Sequence, residues 1–162
     1  MRVQPFCRVL VLGDLSNCLP NATDCIRGRS AEIEIRDRAS GATVAQVVRQ
    51  LDPTGRAWLE TADRNGRPID VRVKVDHWLS SVHRAAVWGL SAFEAKFVLR
   101  NGDVDEDNSV TVFDYAAFSD AFDTAPGHPK WNANADLDGD GAVTVFDYEI
   151  LSRNFDQVGE EL

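Results

Sequence analysis

The sequence predicts two units in one chain: an all-β antiparallel Greek-key sandwich over residues 1–100 and a small all-α unit over residues 101–162. Apolar and polar residues alternate with a period of two between residues 31 and 99, as in half-buried strands. Two acidic stretches then recur 33 residues apart, each followed by apolar residues at helical spacing. The charge changes at the same boundary, from 15 Lys and Arg against 11 Asp and Glu to 2 against 15. These three observations together indicate a multidomain protein.

Short strands separated by turn residues fill the first unit. The expected strands, in order, are AEIEIRD (31–37), ATVAQVVRQLD (42–52), RAWLET (56–61), IDVRVKVDHW (69–78), AAVWGL (85–90) and FEAKFVL (93–99). The turns between them are supplied by SG (40–41), PTG (53–55) and RNGRP (64–68). Five to seven strands with turns every 8–12 residues are typical of an antiparallel β-sandwich.

Composition excludes several classes of function. The apolar runs are too short to span a membrane, and Arg8 interrupts the N-terminal apolar stretch, so no signal peptide is expected. The net charge of −13 over residues 101–162 disfavours nucleic acid as a partner. The sequence shows no set of nucleophile, base and acid, so we expect a protein that is not an enzyme. Three cysteines near the N-terminus leave open one disulfide or three thiols.

Three tryptophans of the first unit have two interpretations. Trp58, Trp78 and Trp88 would form a stacking platform for a sugar if they shared one face, which would make glycan a partner. The other interpretation is that they pack in the core or at a sheet edge. The sequence leaves both open.

The acidic stretches DVDEDNSVTVFD (103–114) and DLDGDGAVTVFD (136–147) have the spacing of a calcium-binding loop. Calcium takes six to eight oxygen ligands, and a twelve-residue loop supplies them from positions 1, 3, 5, 7, 9 and 12. In the first loop these positions hold Asp103, Asp105, Asp107, Ser109, Thr111 and Asp114. In the second loop they hold Asp136, Asp138, Asp140, Ala142, Thr144 and Asp147. We therefore expect two Ca²⁺ ions, with the residue at position 7 binding through its carbonyl.

Other positions in the loops refine this expectation. Gly141 occupies position 6, where the backbone turns with a positive φ, and Asn108 occupies the same position in the first loop. Asn tolerates that conformation less well than Gly, so the first site is expected to be the weaker one. Val143 at position 8 is expected to pair with its counterpart in the other loop. Each loop should open a helix of about ten residues, and no helix is expected before either loop.

Each loop followed by a helix, in two copies, resembles a type I dockerin over residues 102–156. The repeats are GDVDEDNSVTVFDYAAFSDAF and NADLDGDGAVTVFDYEILSRNF, joined by a connector containing Trp131-Asn132. The resemblance implies a non-catalytic calcium-binding module of an extracellular or cell-surface protein, often one that degrades polysaccharides. Its partner would be a cohesin domain. The first unit, on the run from Ile33 to Glu60 and on VRVKVDHWL, resembles sandwiches of the carboxypeptidase-regulatory and transthyretin-like type, which serve as spacers or binding modules.

The resemblance also implies which residues would contact the partner. They lie at loop positions 10, 11, 17 and 18, here Val112, Phe113, Ser119, Asp120, Val145, Phe146, Ser152 and Arg153. Many dockerins carry small polar pairs at positions 10 and 11, whereas this sequence has Val-Phe in both copies. Either the partner surface is apolar, or Phe113 and Phe146 pack inside and no cohesin partner exists. A second candidate for the docking surface is the protein's own sandwich. The alternative function is a carbohydrate-binding or spacer module whose dockerin packs intramolecularly.

Overall fold

The computed structural model describes residues 6–12, 28–60, 67–87 and 93–162. Cys18, Cys25 and Trp88 lie outside these residues, so the disulfide question is not addressed by the structure. No helix in the described part of the chain is long and apolar enough to cross a membrane.

Seven strands form two sheets. They are β1 (Phe6–Leu12), β2 (Ser30–Asp37), β3 (Thr43–Gln50), β4 (Arg56–Glu60), β5 (Pro68–Val75), β6 (Trp78–Val87) and β7 (Phe93–Val98). One sheet has the order β4-β1-β7 and the other has the order β3-β2-β5-β6. The second sheet is antiparallel throughout, with Ile33 opposite Val73 at the centre of its β2–β5 pair.

The observed strands differ from the expected ones at β1, at its pairing with β7 and at the start of β6. The segment FCRVLVL forms β1. It lacks the alternation of apolar and polar residues that marks the other strands, since only Arg8 interrupts its apolar residues. β1 also pairs with β7 in parallel, so the prediction of a fully antiparallel sandwich was wrong for this pair. Strand β6 begins at Trp78, earlier than the expected AAVWGL segment. The Greek-key order of the strands stays a prediction.

Alternate residues of both sheets form one apolar core between them. Ile33, Val73 and Phe97 are among its buried members, as the period of two predicts. Trp78 belongs to this core and is only 1% exposed, whereas Trp58 lies at the surface. A stacking platform that includes Trp78 is therefore wrong.

The C-terminal unit contains the two expected helices, α1 (Val112–Ala121) and α2 (Val145–Arg153). Thr111 and Thr144 cap them: each side chain accepts a hydrogen bond from the amide two residues on, and an aspartate three residues on completes a capping box. Residues 93–111 and 123–144 contain no helix, so each unit is a loop followed by one helix, as predicted.

The hydrogen-bond partners of the valine at position 8 of each loop differ from those expected. Val110 and Val143 are both buried in the core of the C-terminal unit but do not bond to each other. Instead, Val110 exchanges backbone hydrogen bonds with residues 156 and 157, which follow α2. Val143 does the same with residues 123 and 124, which follow α1. The repeats are thus tied reciprocally, each loop to the end of the other repeat's helix.

The first acidic loop and strand β6 form the junction between the two units. The carbonyl of His77 accepts the amides of Gly102 and Asp103, both at 3.1 Å. Leu79, from β6, is buried in the core of the C-terminal unit. The Asn108 side chain accepts the amide of Ser80 at 2.8 Å. The sandwich therefore contacts the first loop directly, through hydrogen bonds and through Leu79.

The segment 158–162 returns to the sandwich and closes this junction. The amide of Glu160 donates to the Ser80 carbonyl at 2.9 Å, and the Ser80 hydroxyl donates to the Glu160 carbonyl at 2.6 Å. The Glu160 carboxylate accepts the amide of Val82 at 2.8 Å. Arg72 binds the Glu161 carboxylate at 3.2 Å. The amide of Gly159 donates to the Asn108 carbonyl at 2.8 Å. The Asn108 side chain lies so close to Gly159 that a Cβ at residue 159 would overlap it.

Gly159→Ala is expected to loosen the junction, because the new Cβ would overlap the Asn108 side chain that Ser80 holds in place. Such overpacking typically costs about 1–3 kcal/mol, which thermal unfolding would detect. Hydrogen exchange at the Ser80 amide should accelerate at the same time. Val158→Ala, at an exposed neighbour, is the control and should change neither measurement. Unchanged exchange at Ser80 in Gly159→Ala would contradict the assigned role.

Candidate metal centre

The two acidic loops fold with the same internal hydrogen bonds. In each loop, Oδ2 of the position 1 carboxylate accepts the amide of position 6. The distance is 3.1 Å from Asn108 to Asp103 and 3.0 Å from Gly141 to Asp136. Asn108 has a φ of 70° and Gly141 has a φ of 91°, so both adopt the predicted positive conformation. The two loops therefore have the same internal geometry.

Position 12 organises each loop from the start of its helix. Asp147 is buried, and its Oδ1 accepts the amides of Leu137 and Asp138 at 2.7 and 3.0 Å. Its Oδ2 accepts the amide of Thr144 at 2.7 Å. Asp114 makes the equivalent bonds in the first loop. The shorter Asp thus reaches the loop backbone in the position where Glu is usual.

Three carboxylates in each loop converge. Positions 1, 3 and 12 bring ligand atoms within 4.8 Å of one another, as Asp103, Asp105 and Asp114, and again as Asp136, Asp138 and Asp147. The predicted ligands at position 5, Asp107 and Asp140, lie outside these groups, and each accepts the amide of position 7 at 2.8 Å. At position 9, the Thr111 and Thr144 hydroxyls cap the helices. Ser109 and Ala142 complete the predicted ligand sets at position 7.

One oxygen in each group has no partner. Asp103 Oδ1 and Asp136 Oδ1 are buried and make no hydrogen bond. A buried carboxylate oxygen without a partner is costly, and several carboxylates around it increase the cost. A divalent cation bound by oxygen ligands removes both penalties. The residues present therefore fit calcium, which would be held by the converging carboxylates and would tie the loop to the helix behind it.

The charges in each loop destabilise one another in the absence of a cation. Burial, followed by repulsion from Asp147, raises the pKa of Asp138 to about 6. The same two causes, burial first and then Asp114, raise the pKa of Asp105. Burial is also the main cause that raises the pKa of Asp103 and of Asp136. A cation in the second loop would therefore displace a proton from Asp138 at mildly acidic pH.

Calcium affinity of the second loop is expected to fall below about pH 6. Asp138 holds its proton up to a pKa of about 6 in the calcium-free protein and must release it to ligate. One pH unit below that pKa, the affinity should be about tenfold weaker. Calorimetric titrations at pH 7 and pH 5 measure this, and buffers with different ionisation enthalpies report the released proton. Asp138→Asn should bind weakly with this pH dependence removed. Equal wild-type affinity at both pH values would contradict the prediction.

Lys74 lies at the first loop and was missed in the sequence. Its ammonium contacts Asp103 Oδ2 at 2.5 Å, across the junction between the units. The alternation of VRVKV places Lys74 on the polar side of its strand, which by itself predicts a solvated lysine. Only the long-range packing of the first loop on β5 and β6 reveals the contact.

The eight residues predicted to contact a partner are all exposed. Phe113 is 66% exposed and Phe146 is 63% exposed, so the alternative in which these rings pack inside is wrong. Tyr115 and Tyr148, one turn further along the helices, are in edge contact with ring centroids 6.1 Å apart. Ser119 and Ser152 lie on later turns. Asp120 forms an ion pair with Lys130, and Arg153 forms one with Glu149.

The fold and the site define a pair of half EF-hand units, each with an acidic loop and one outgoing helix. Residues 101–156, about a third of the chain, match the family model of the dockerin type I domain. No curated protein matches the sequence.

Two solved structures share the fold of nearly the whole chain. Both are type II cohesin–X-dockerin complexes from Acetivibrio cellulolyticus, one an N-terminal and one a C-terminal interface mutant. The likeness covers 96% of this chain and 97% of the matched chain in each, with TM-scores of 0.69 and 0.70. At 15% sequence identity, the likeness concerns the fold of the two units in series. It does not support the resemblance of the first unit to carboxypeptidase-regulatory sandwiches.

Proposed function

We propose that residues 101–162 are a calcium-binding dockerin that attaches the sandwich to a cohesin-like domain. The twin loops would bind two Ca²⁺ ions through the twelve predicted ligand residues. The observation that carries the proposal is the exposure of the Val-Phe pair at the start of both helices. The family match of residues 101–156 and the cohesin present in both similar complexes support this choice of partner.

The partner surface would be apolar. Val112 and Tyr115 are neighbours one turn apart on α1, and Val145 and Tyr148 are neighbours on α2. Because the two tyrosine rings touch, the exposed residues of both helices form one apolar stripe, with the phenylalanines beside it. Exposed apolar surface of this kind is typical of protein interaction sites. Ser119, Asp120, Ser152 and Arg153 would form its polar rim.

The sandwich would serve as a spacer that presents the dockerin. The contacts of Asn108 and Glu160 with β6 attach the two units while leaving both Val-Phe pairs exposed. Intramolecular packing and binding of a partner therefore use different surfaces. The buried Trp78 gives no support to glycan binding. We place the protein outside the cell or at its surface, where millimolar calcium suits sites of this class and polysaccharide degradation is the setting that the family implies.

A panel of purified type I and type II cohesin domains tests the proposal. Binding to at least one member is expected in millimolar calcium and should be lost in EGTA. Biolayer interferometry with the whole chain gives both measurements. If no cohesin of either type binds while calcium is bound, the docking role is refuted and the spacer role remains.

A further inference from the structure

The two loops have the same internal bonds but different neighbours. In the first loop, Oδ2 of Asp103 accepts the amide of Asn108. The same oxygen also accepts the ammonium of Lys74, at 2.5 Å. The equivalent residue of the second loop, Asp136, forms no ion pair within the described part of the chain. Among the described residues, the sandwich therefore supplies a cation to the first loop and not to the second.

Lys74 is fixed in this position by its own strand and turn. Its ammonium donates to the carbonyls of Asp76 and Trp78, at 2.7 and 2.6 Å, in addition to Asp103. All three donors of the ammonium are used, and the side chain is only 14% exposed. Lys74 is therefore part of the folded junction and not a mobile surface charge.

The contact leaves the other oxygen of the same carboxylate without a hydrogen-bond partner. Asp103 Oδ2 bonds to Lys74, while Asp103 Oδ1 is buried and unpartnered, and Asp103 converges with Asp105 and Asp114. Lys74 and a metal ion would thus bind opposite oxygens of one carboxylate. The lysine would not occupy the metal position, but its charge would act on that position at short range.

We propose that Lys74 is a resident counter-ion of the first loop, and that it makes the two calcium sites unequal. This inference rests on the proposed calcium function. Without calcium, Lys74 offsets part of the carboxylate repulsion and holds the first loop folded against the sandwich. With calcium, its positive charge opposes the ion, so the first loop binds more weakly. For a doubly charged ion about 6 Å from the ammonium, Coulomb's law gives roughly a tenfold effect even at the dielectric constant of water.

Calcium titrations of Lys74→Met test the inference. The amides of Asn108 and Gly141 each donate to a position 1 carboxylate, so their NMR signals report the first and second loop separately. The variant should bind calcium about tenfold more tightly in the first loop and unchanged in the second. In EGTA, exchange of the Ser80 amide, which the Asn108 side chain accepts, should be more than tenfold faster than in the wild type.

Two further variants separate charge from folding. Lys74→Gln removes the charge but keeps a donor for Asp103, and it should also tighten the first site. Arg38→Met removes a positive charge at the other end of the sheet, where Arg38 pairs with Asp70, and should leave both sites unchanged. If Lys74→Met and Lys74→Gln bind calcium as the wild type does, or more weakly in the first loop, the inference is overturned. If the wild type binds no calcium in either loop, the proposed function falls and this inference falls with it.

Discussion

Removing calcium with EGTA is expected to lower the unfolding temperature of residues 101–162 by roughly 20 °C while the sandwich unfolds as before. A ligand at one hundred times its dissociation constant adds about 2.7 kcal/mol per site, so two sites add about 5 kcal/mol. A unit of this size buries too little apolar surface to tolerate that loss easily. Calorimetry should show two transitions, of which only the one that belongs to the repeats depends on calcium.

Charge repulsion makes this effect large. Residues 101–162 carry 15 acidic side chains against 2 basic ones, and eight of the acids lie at ligand positions. In the second loop the raised pKa of Asp138 shows how strongly burial and Asp147 disfavour the charged state. Without a cation, the second loop and α2 should open first, because Lys74 remains with the first loop.

Asp138→Asn and Asp156→Asn form a matched pair for this experiment. Each removes one negative charge, but Asp138 lies in a converging carboxylate group and Asp156 is exposed outside both loops. Asp138→Asn should abolish about half of the calcium-dependent stabilisation, the share of the second loop, whereas Asp156→Asn should keep all of it. Superimposable unfolding curves of the wild type in calcium and in EGTA would refute the calcium sites.

The loops and their helices were predictable because their determinants are local. The alternating aspartates, the turn residue at position 6 and the capping threonine all lie within twelve residues of each other. Asn108 adopts the positive φ that its position requires, and it also bonds to Ser80. Because Gly has no side chain to accept the Ser80 amide, Asn has an advantage at this position that the loop pattern alone does not reveal.

Contacts between distant residues were not predictable in the same way. The parallel pairing of β1 with β7 joins segments more than 80 residues apart. The segment FCRVLVL has no period-two pattern from which a strand could be predicted. Leu79 fits the strand pattern yet is buried in the core of the other unit. Val110 and Val143 were expected to pair with each other, but each bonds instead to residues that follow the other repeat's helix. The observed bonds depend on how the two repeats pack, which the spacing of residues within each repeat does not determine.

The double variant Phe113→Ser, Phe146→Ser is expected to weaken binding to the proposed cohesin-like partner by about a thousandfold. Aromatic side chains at the centre of an interface commonly contribute 2 kcal/mol or more each, and 1.4 kcal/mol corresponds to a factor of ten. Both rings are largely exposed in the free protein, so their loss should change the unfolding temperature little. Biolayer interferometry and thermal unfolding measure the two effects separately.

The single variants show whether both helices bind at once. Because Tyr115 and Tyr148 join the two apolar surfaces, a partner that covers one Val-Phe pair should also reach the other. Each single variant should then lose more than tenfold in affinity. A partner that used one helix at a time, in either of two orientations, would lose only about twofold on a single change, because the intact copy would still bind. Val158→Ser is the control, since it removes an equally exposed apolar side chain away from both helices. If the double variant binds as tightly as this control, the Val-Phe pairs are not the docking surface.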